Sequence, residues 1–335
     1  MSNLLQPLLF TPVYKDYIWG GQRIAARYGR AGTPAVCAES WEISAHADGP
    51  SRVARGPLAG QSLAELAGRF GAGLTGTQVP HPGRFPLLFK LIDARENLSV
   101  QVHPNDENAG RVGGEAKTEA WYVVDRTPGA MLYTGLKPET TPASFRAAME
   151  QGTAPQQLFK LTVEPGDTLF IPGGLVHAIG AGCLIYEVQQ TSNTTYRLFD
   201  WGRLDASGQP RPLHLQQAFE VIDPSLPEPR MIRTPAPATS SRNHWNTVLS
   251  CRYFNLCRLD LRGAEQVTLD GTSFYALFVL EGEAAVSAGG ADVAMPAGNS
   301  CLIPAAAGAF HLCPAGASAT VLVTTLNGGQ SARRL

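Results

Sequence analysis

The sequence predicts an all-β fold of two jelly-roll barrels with a few short helices. Three features carry that expectation. Glycine and proline number 35 and 25 in 335 residues, about half as many again as the roughly 12% of ordinary usage, so turns are frequent. Between the turns lie short runs of β-branched and aromatic residues, the pattern of sandwiches and jelly rolls. A weak internal repeat doubles the unit. Gly166-Asp-Thr-Leu-Phe-Ile-Pro172 has the form of Gly298-Asn-Ser-Cys-Leu-Ile-Pro304, and Glu119–Val124 lines up with Tyr275–Leu280. This alignment sets Tyr275 opposite Glu119 and Ala309 opposite His177, so metal-ligand residue types occur in the first copy only. The length suggests two domains. They are expected over 1–240, carrying N-terminal and helical extensions, and over 241–335, a degenerate second barrel without metal.

The elements follow in order. Ser62 to Phe70 places apolar residues at helical spacing after a serine that can cap. Phe85 to Ile92 is an apolar run fit for a buried strand. Leu98 to His103 alternates, and Trp121 to Val124 is aromatic and β-branched, so both read as strands. Thr141-Pro142 opens a short helix to Glu150. Thr168 to Ile171 and Leu184 to Val188 are further strands, and His214 to Ile222 a helix. Pro224, Pro227, Pro229, Pro235 and Pro237 mark a linker with little that packs. Beyond it Phe274–Leu280, Ala284–Val286 and Ala319–Thr324 read as separate strands with glycine-rich turns between them.

Composition closes off several function classes. Apolar residues make up 44% and charged residues 16%, with mean hydropathy −0.07, which is not the signature of a disordered chain. No apolar run reaches the length of about 18 residues that a membrane span needs. The formal charge is −1, from 27 basic and 28 acidic residues without a basic cluster, so no nucleic-acid partner is expected. The first residues lack the charged start and long apolar core of a secretory peptide. The six cysteines form no CxxC pair and read as reduced, buried thiols of a cytoplasmic protein.

The chemistry-bearing residues begin with Leu98-Ser99-Val100-Gln101-Val102-His103. In a strand, Leu98, Val100 and Val102 share one apolar face and Ser99, Gln101 and His103 the other. A polar face turned inward would need a metal or polar ligand to satisfy it; turned to solvent it would need nothing. Lys117 and Glu119 share a face at the start of the next strand, where such a pair is usually solvated and weak. His177 follows the turn Pro172-Gly-Gly, placed either as a hydrogen-bonded core histidine or as a ligand.

Taken together these residues carry a resemblance. Gly166-x5-Pro172-x-Gly174-x2-His177 is similar to the second motif of cupin barrels at every fixed position. Gln101, His103 and Glu119 fill the first-motif role, with Gln-x-His where most metal cupins have His-x-His. Two imidazoles, one carboxylate and one amide oxygen suit Zn²⁺ and leave positions for water or substrate. Gln101-Val-His103-Pro-Asn-Asp106, Glu119 of Lys-Thr-Glu and Pro172-Gly-Gly-Leu-Val-His177 resemble the type I phosphomannose isomerases. Trp19-Gly-Gly21, Glu39-Ser-Trp-Glu-Ile-Ser44 and Tyr196-Arg197-Leu-Phe-Asp-Trp-Gly-Arg203 look like further blocks of that family. The resemblance covers roughly residues 10–205, with the rest a degenerate second barrel. Longer family members insert a helical domain for which this chain has no room, so it looks like the short bacterial form.

The resemblance implies one zinc per chain, held by Gln101, His103, Glu119 and His177. It implies hexose 6-phosphate substrates, mannose 6-phosphate and fructose 6-phosphate, interconverted by moving a proton between C1 and C2 through an enediolate. Glu187 or Lys117 would be the base. Glu187 is preferred, because it shares a face with Ile185 and Gln189 and burial would raise its pKa. Arg197 would stabilise the oxyanion, and Ser99 and Arg203 would bind the phosphate, a task suited to a guanidinium fork. Trp19, Glu39 and Trp41 serve as fingerprints. Two other readings stay open: a different metal cupin, such as an iron dioxygenase or an epimerase, and a non-catalytic sugar-phosphate-binding metal cupin. A dioxygenase normally uses a His-rich set, and a mere binder has no use for both Glu187 and Arg197.

Overall fold

The computed structural model describes residues 6–205, 207–235 and 241–327. Strands dominate. The chain begins with β1 (Leu8–Thr11), β2 (Val13–Lys15), α1 (Arg23–Tyr28), β3 (Glu39–Ile43), β4 (Arg52–Val53), α2 (Leu63–Phe70), α3 (Ala72–Thr75) and β5 (Leu87–Asp93). It continues through β6 (Val100–Val102), β7 (Glu119–Arg126), β8 (Met131–Leu136), α4 (Pro142–Glu150), β9 (Leu158–Thr162), β10 (Asp167–Ile171), β11 (His177–Ile179), β12 (Cys183–Gln190), β13 (Tyr196–Phe199), α5 (Leu215–Val221) and β14 (Ile232–Arg233). The last part holds β15 (His244–Ser250), β16 (Phe254–Leu261), β17 (Glu265–Thr268), β18 (Tyr275–Ala288), β19 (Ala291–Pro296), β20 (Ser300–Ile303) and β21 (Ala309–Leu326). One sheet runs β14-β10-β7-β12-β5-β3-β2, a second β13-β6-β11-β8-β9 and a third β15-β16-β21-β18-β20-β1-β4, with β17 on β21 and β19 on β18.

The chain packs as two compact units. One holds Tyr14–Ser40 and Lys90–Arg233; the other holds the described residues of Met1–Val13, Trp41–Phe89 and Thr234–Leu335. In the first unit, Val100 and Val102 of β6 pack with Phe145 of α4 and with Ala218 and Val221 of α5. That leaves Ser99, Gln101 and His103 on the opposite face, where Ser99 and His103 are buried. The inward alternative therefore holds for this strand. Leu98 departs from the expected alternation. It precedes β6 and packs with Trp19, Trp121 and Ile179 in a separate cluster. The proline-rich stretch also packs more than expected. Leu226 and Met231 lie against that cluster, and Ile232–Arg233 pairs with the edge of β10. Apolar side chains between the prolines are what tie it down; Pro237 lies outside the described residues.

In the second unit the strands expected over Phe274–Leu280 and Ala284–Val286 are one strand, β18, rather than two. Gly282 (φ 75°) makes an irregularity in its pairing with β21, not a reversal. The repeat survives in the register: Glu119 pairs with Ile171, and Tyr275 pairs with Ile303. The contents differ. Tyr275, Leu277 and Val279 sit in an apolar cluster with Phe310 and Val321.

Both expected capped helices form as the sequence requires. Ser62 Oγ accepts the Glu65 N–H at 3.2 Å while Glu65 accepts the Ser62 N–H at 2.7 Å, a capping box. Thr141 and Ser144 make the same reciprocal pair ahead of α4. Loss of such a cap typically costs about 1 kcal/mol. Ser62→Ala is therefore expected to lower unfolding stability by about 1 kcal/mol in urea denaturation; an unchanged midpoint would show that α2 does not depend on its cap.

Candidate active site

The site is assembled from short strands of two sheets. β6 and β11 pair with His177 directly across from Gln101, and His103 follows the end of β6. Glu119 is the first residue of β7. These strand ends bring His103, Glu119 and His177 together, all buried, with one ligand atom from each within 4.8 Å of the others. The Nε2 atoms of the two imidazoles are 3.1 Å apart. Glu119 Oε1 lies 3.5 Å from His177 Nε2 and 3.8 Å from His103 Nε2. Gln101 Nε2 is 3.4 Å from His177 Nε2.

The protonation states follow from the neighbours. His177 Nδ1 is 2.8 Å from the Leu175 carbonyl. A carbonyl only accepts, so the proton sits on Nδ1 and the Nε2 lone pair faces the cluster. His103 Nε2 lies 3.3 Å from Lys117 Nζ. An ammonium only donates, so this nitrogen also presents a lone pair. Burial pushes both imidazoles to the neutral form, His177 to a pKa of about 3 and His103 well below the usual value, with the Lys117 charge adding to the effect. Two lone pairs and a carboxylate oxygen with no hydrogen-bond donor thus converge on one point. Ligands about 2.0–2.1 Å from a tetrahedral zinc stand roughly 3.3–3.4 Å from one another, close to the 3.1, 3.5 and 3.8 Å separations here. Turning the Gln101 amide over would bring its oxygen toward the same point. The residues therefore fit a dication.

The charge balance agrees. Lys117 Nζ is 2.9 Å from Glu119 Oε2; this pair is buried, not solvated as the sequence suggested. Lys90 Nζ lies 3.2 Å from Glu187 Oε1 and 3.6 Å from Glu39 Oε2, again buried. Three carboxylates face two ammoniums, leaving one negative charge for a cation to offset. Burial and the Glu187 charge push the Glu119 carboxyl up. For Glu187 the expectation of a raised pKa is corrected. Burial acts upward, but Lys90, Lys117 and the Trp121 indole N–H at 3.0 Å outweigh it and hold the carboxyl below its usual value.

A cavity of about 260 Å³ opens beside this cluster, and Ser99, Gln101, Lys117, Glu187 and Arg197 all line it. Ser99 Oγ donates to Gln101 Oε1 at 3.3 Å. Arg197 Nη1 donates to the Pro212 carbonyl at 2.8 Å. Arg203 is not in the lining; its Nη2 is 2.5 Å from Asp200 Oδ1 and its Nη1 3.8 Å from Glu96. Three lining residues escaped the sequence reading as charged participants: Glu39, Lys90 and Arg211. Lys90 had a signal, being the one charge inside the apolar run Phe85–Ile92. Glu39 stood in a quoted block but only as a fingerprint. Trp19 also lines the cavity, whereas Trp41 is buried in the other unit against His46.

Comparison with known proteins gives a consistent picture. Residues 8–139 match the family model described as phosphomannose isomerase type I, catalytic domain, and residues 244–323 match mannose-6-phosphate isomerase, cupin domain. The chain is 37% identical over 314 residues to mannose-6-phosphate isomerase ManA of Bacillus subtilis, covering 92% of this chain and 96% of that one. It is 33% identical over 307 residues to the mannose-6-phosphate isomerase of Streptococcus mutans, covering 90% and 93%. The crystal structure of the Bacillus subtilis enzyme superposes with a TM-score of 0.84 at 31% identity, over 95% of this chain and 99% of that one. A mannose 6-phosphate isomerase bound with zinc and yttrium shares the fold, with a TM-score of 0.71 at 18% identity, over 96% and 99%.

Asp200 supplies a pH test. Burial alone would raise its pKa, but hydrogen bonds from Arg211 and Arg203 hold it below the usual value. Its contribution to stability is therefore complete above the ordinary carboxylate pKa of about 3.9 and is lost as pH falls through the lower folded value. Thermal melts from pH 7 down to pH 3 are expected to fall less steeply for Asp200→Asn than for the wild type; parallel curves would contradict the pairing.

Proposed function

The chain belongs to the type I phosphomannose isomerases, and from that premise we propose that it interconverts mannose 6-phosphate and fructose 6-phosphate by proton transfer between C1 and C2. The observation that supports this most is the convergence of Ser99, Gln101, Lys117, Glu187 and Arg197 on one cavity beside His103, Glu119 and His177. Gln101, His103, Glu119 and His177 would hold one zinc ion, which when bound supplies a Lewis acid to the substrate oxygen that gains charge.

Glu187 takes the proton from C2 of the aldose at a carboxylate oxygen and returns it to C1, while the O2 hydroxyl proton passes to O1, so that C2 becomes the ketone and C1 carries the hydroxyl. Its lowered pKa keeps that oxygen ionised at neutral pH, and Lys90 and Trp121 hold the carboxylate in place. Lys117 is the alternative base. Arg197 stabilises the enediolate oxygen, a donor role typically worth several kcal/mol of barrier. Ser99 serves the phosphate from the cavity wall, and Arg203 serves it from behind the lining, where its Nε and Nη1 are buried without a hydrogen-bond partner. Residues 1–240 form the catalytic domain in this reading, and 241–335 a degenerate second jelly roll without metal, in line with its apolar cluster around Tyr275. The scattered, unbridged cysteines favour a cytoplasmic setting.

A coupled assay of mannose 6-phosphate conversion tests the proposal. Activity is expected in native protein, to disappear after EDTA stripping and to return with zinc; no turnover in any zinc-loaded sample would remove the isomerase reading. Glu187→Gln is expected to lower kcat by about 10²–10⁴-fold, the range for a general base. Near-normal kcat in that variant, with loss in Lys117→Met, would move the base to Lys117.

A further inference from the structure

The arginine end of the cavity is more elaborate than the sequence suggested. Arg197, Arg203 and Arg211 gather around one buried carboxylate, Asp200. Asp200 holds Arg211 in a fork, with Nε at 2.7 Å from Oδ2 and Nη2 at 2.5 Å from Oδ1. Its Oδ1 also takes Arg203 Nη2 at 2.5 Å. Arg203 gives Nη2 to Asp200, keeps Nε and Nη1 buried without a hydrogen-bond partner, and stays out of the cavity lining, whereas Arg211 lines it. The fork occupies Nε and Nη2 of Arg211, so Nη1 is the donor left to a ligand. Three guanidiniums face two carboxylates, one of them the half-exposed Glu96. The excess is positive, as a dianionic group requires.

The backbone here is built to hold that arrangement. The Arg203 N–H donates to the Asp200 carbonyl at 3.1 Å, closing a turn whose central residues, Trp201 (φ 59°) and Gly202 (φ 69°), both have positive φ. Two positive φ values mark a type I′ turn, in which a bulky residue is costly. Trp201 is kept there by its indole N–H, which donates to the Leu98 carbonyl at 2.7 Å, and by the rings of Tyr133 and Phe199. Leu98 directly precedes Ser99. The strained turn therefore fixes Asp200, and through it Arg211, relative to the Ser99–Gln101 edge of the cavity.

We propose that Arg211 contacts the substrate phosphate and selects phosphorylated over unphosphorylated sugar, with Asp200 as its positioning residue. The proposal rests on the isomerase reading above for its substrate, but not for its anion site. The test uses the zinc-loaded full chain and the variants Arg211→Gln, Arg211→Lys and Asp200→Asn. KM and kcat for mannose 6-phosphate are measured in the coupled assay, and the affinity for inorganic phosphate by titration calorimetry. Arg211→Gln is expected to raise KM at least tenfold and weaken phosphate binding by a similar factor, with kcat falling less than KM rises. Arg211→Lys keeps the charge but loses the fork, so it should recover part of both. Asp200→Asn should raise KM less than Arg211→Gln does. Folded Arg211→Gln with unchanged KM and phosphate affinity overturns the proposal and leaves the isomerase reading standing. Wild-type protein that binds phosphate through Arg211 but does not turn over mannose 6-phosphate removes that reading instead. If Arg211→Gln fails to fold, Arg211→Lys decides, and a phosphate affinity equal to wild type would overturn the assignment.

Discussion

Three buried lone pairs aimed at one point are the constraint on which the rest of the site depends. His103, His177 and Glu119 are held within a few ångströms, and Glu119 Oε1 has no hydrogen-bond donor. Neutral imidazoles and an ionised carboxylate at that spacing gain little from each other and lose their water. Such an arrangement is favourable only with a cation at its centre or a proton on the carboxylate. Without a cation, the upward push on Glu119 expresses that demand. The two lysines meet it only in part, because Lys117 bonds Glu119 from one side and Lys90 is taken by Glu187 and Glu39.

The fold supports this arrangement through short elements rather than long ones. Cross-strand pairing of Gln101 with His177 sets two of the proposed ligands side by side, and the packing of Val100 and Val102 under α4 and α5 fixes which face of β6 turns inward. A one-residue slip would send Val102 toward His177 and Glu119 and His103 to the apolar cluster. Glu187 gains its orientation in the same way: β12 pairs with β7 so that Glu187 lies across from Trp121, whose indole then binds its carboxylate. Cavity and His–Glu–His cluster are thus products of strand register.

Register also explains what was legible beforehand. The alternation from Leu98 to His103, the Gly/Pro-bounded strand before His177 and the capped helix after Ser62 are local patterns, and the structure follows them closely, apart from Leu98 itself. The pairing of Glu119 with Ile171 and of Tyr275 with Ile303 repeats what the aligned segments implied. Features set by distant neighbours were not legible. The direction of the Glu187 shift depends on Lys90, which comes from a strand far away in sequence. Arg211 enters the cavity because a turn at Trp201 and a carboxylate at Asp200 place it there, and nothing in Gln209-Pro-Arg-Pro212 signals it. Gly282 read as a turn because glycine permits a reversal and an in-strand irregularity equally well.

The central claim is that a dication completes the His103–Glu119–His177 cluster and that the second repeat, filled with apolar side chains, takes none. Anomalous diffraction collected on both sides of the zinc absorption edge tests it most directly. The account predicts one peak per chain, at the meeting point of the two Nε2 atoms and Glu119 Oε1, with Gln101 within reach. A zinc-loaded crystal with no peak there, or with its peak among residues 244–323, would contradict it.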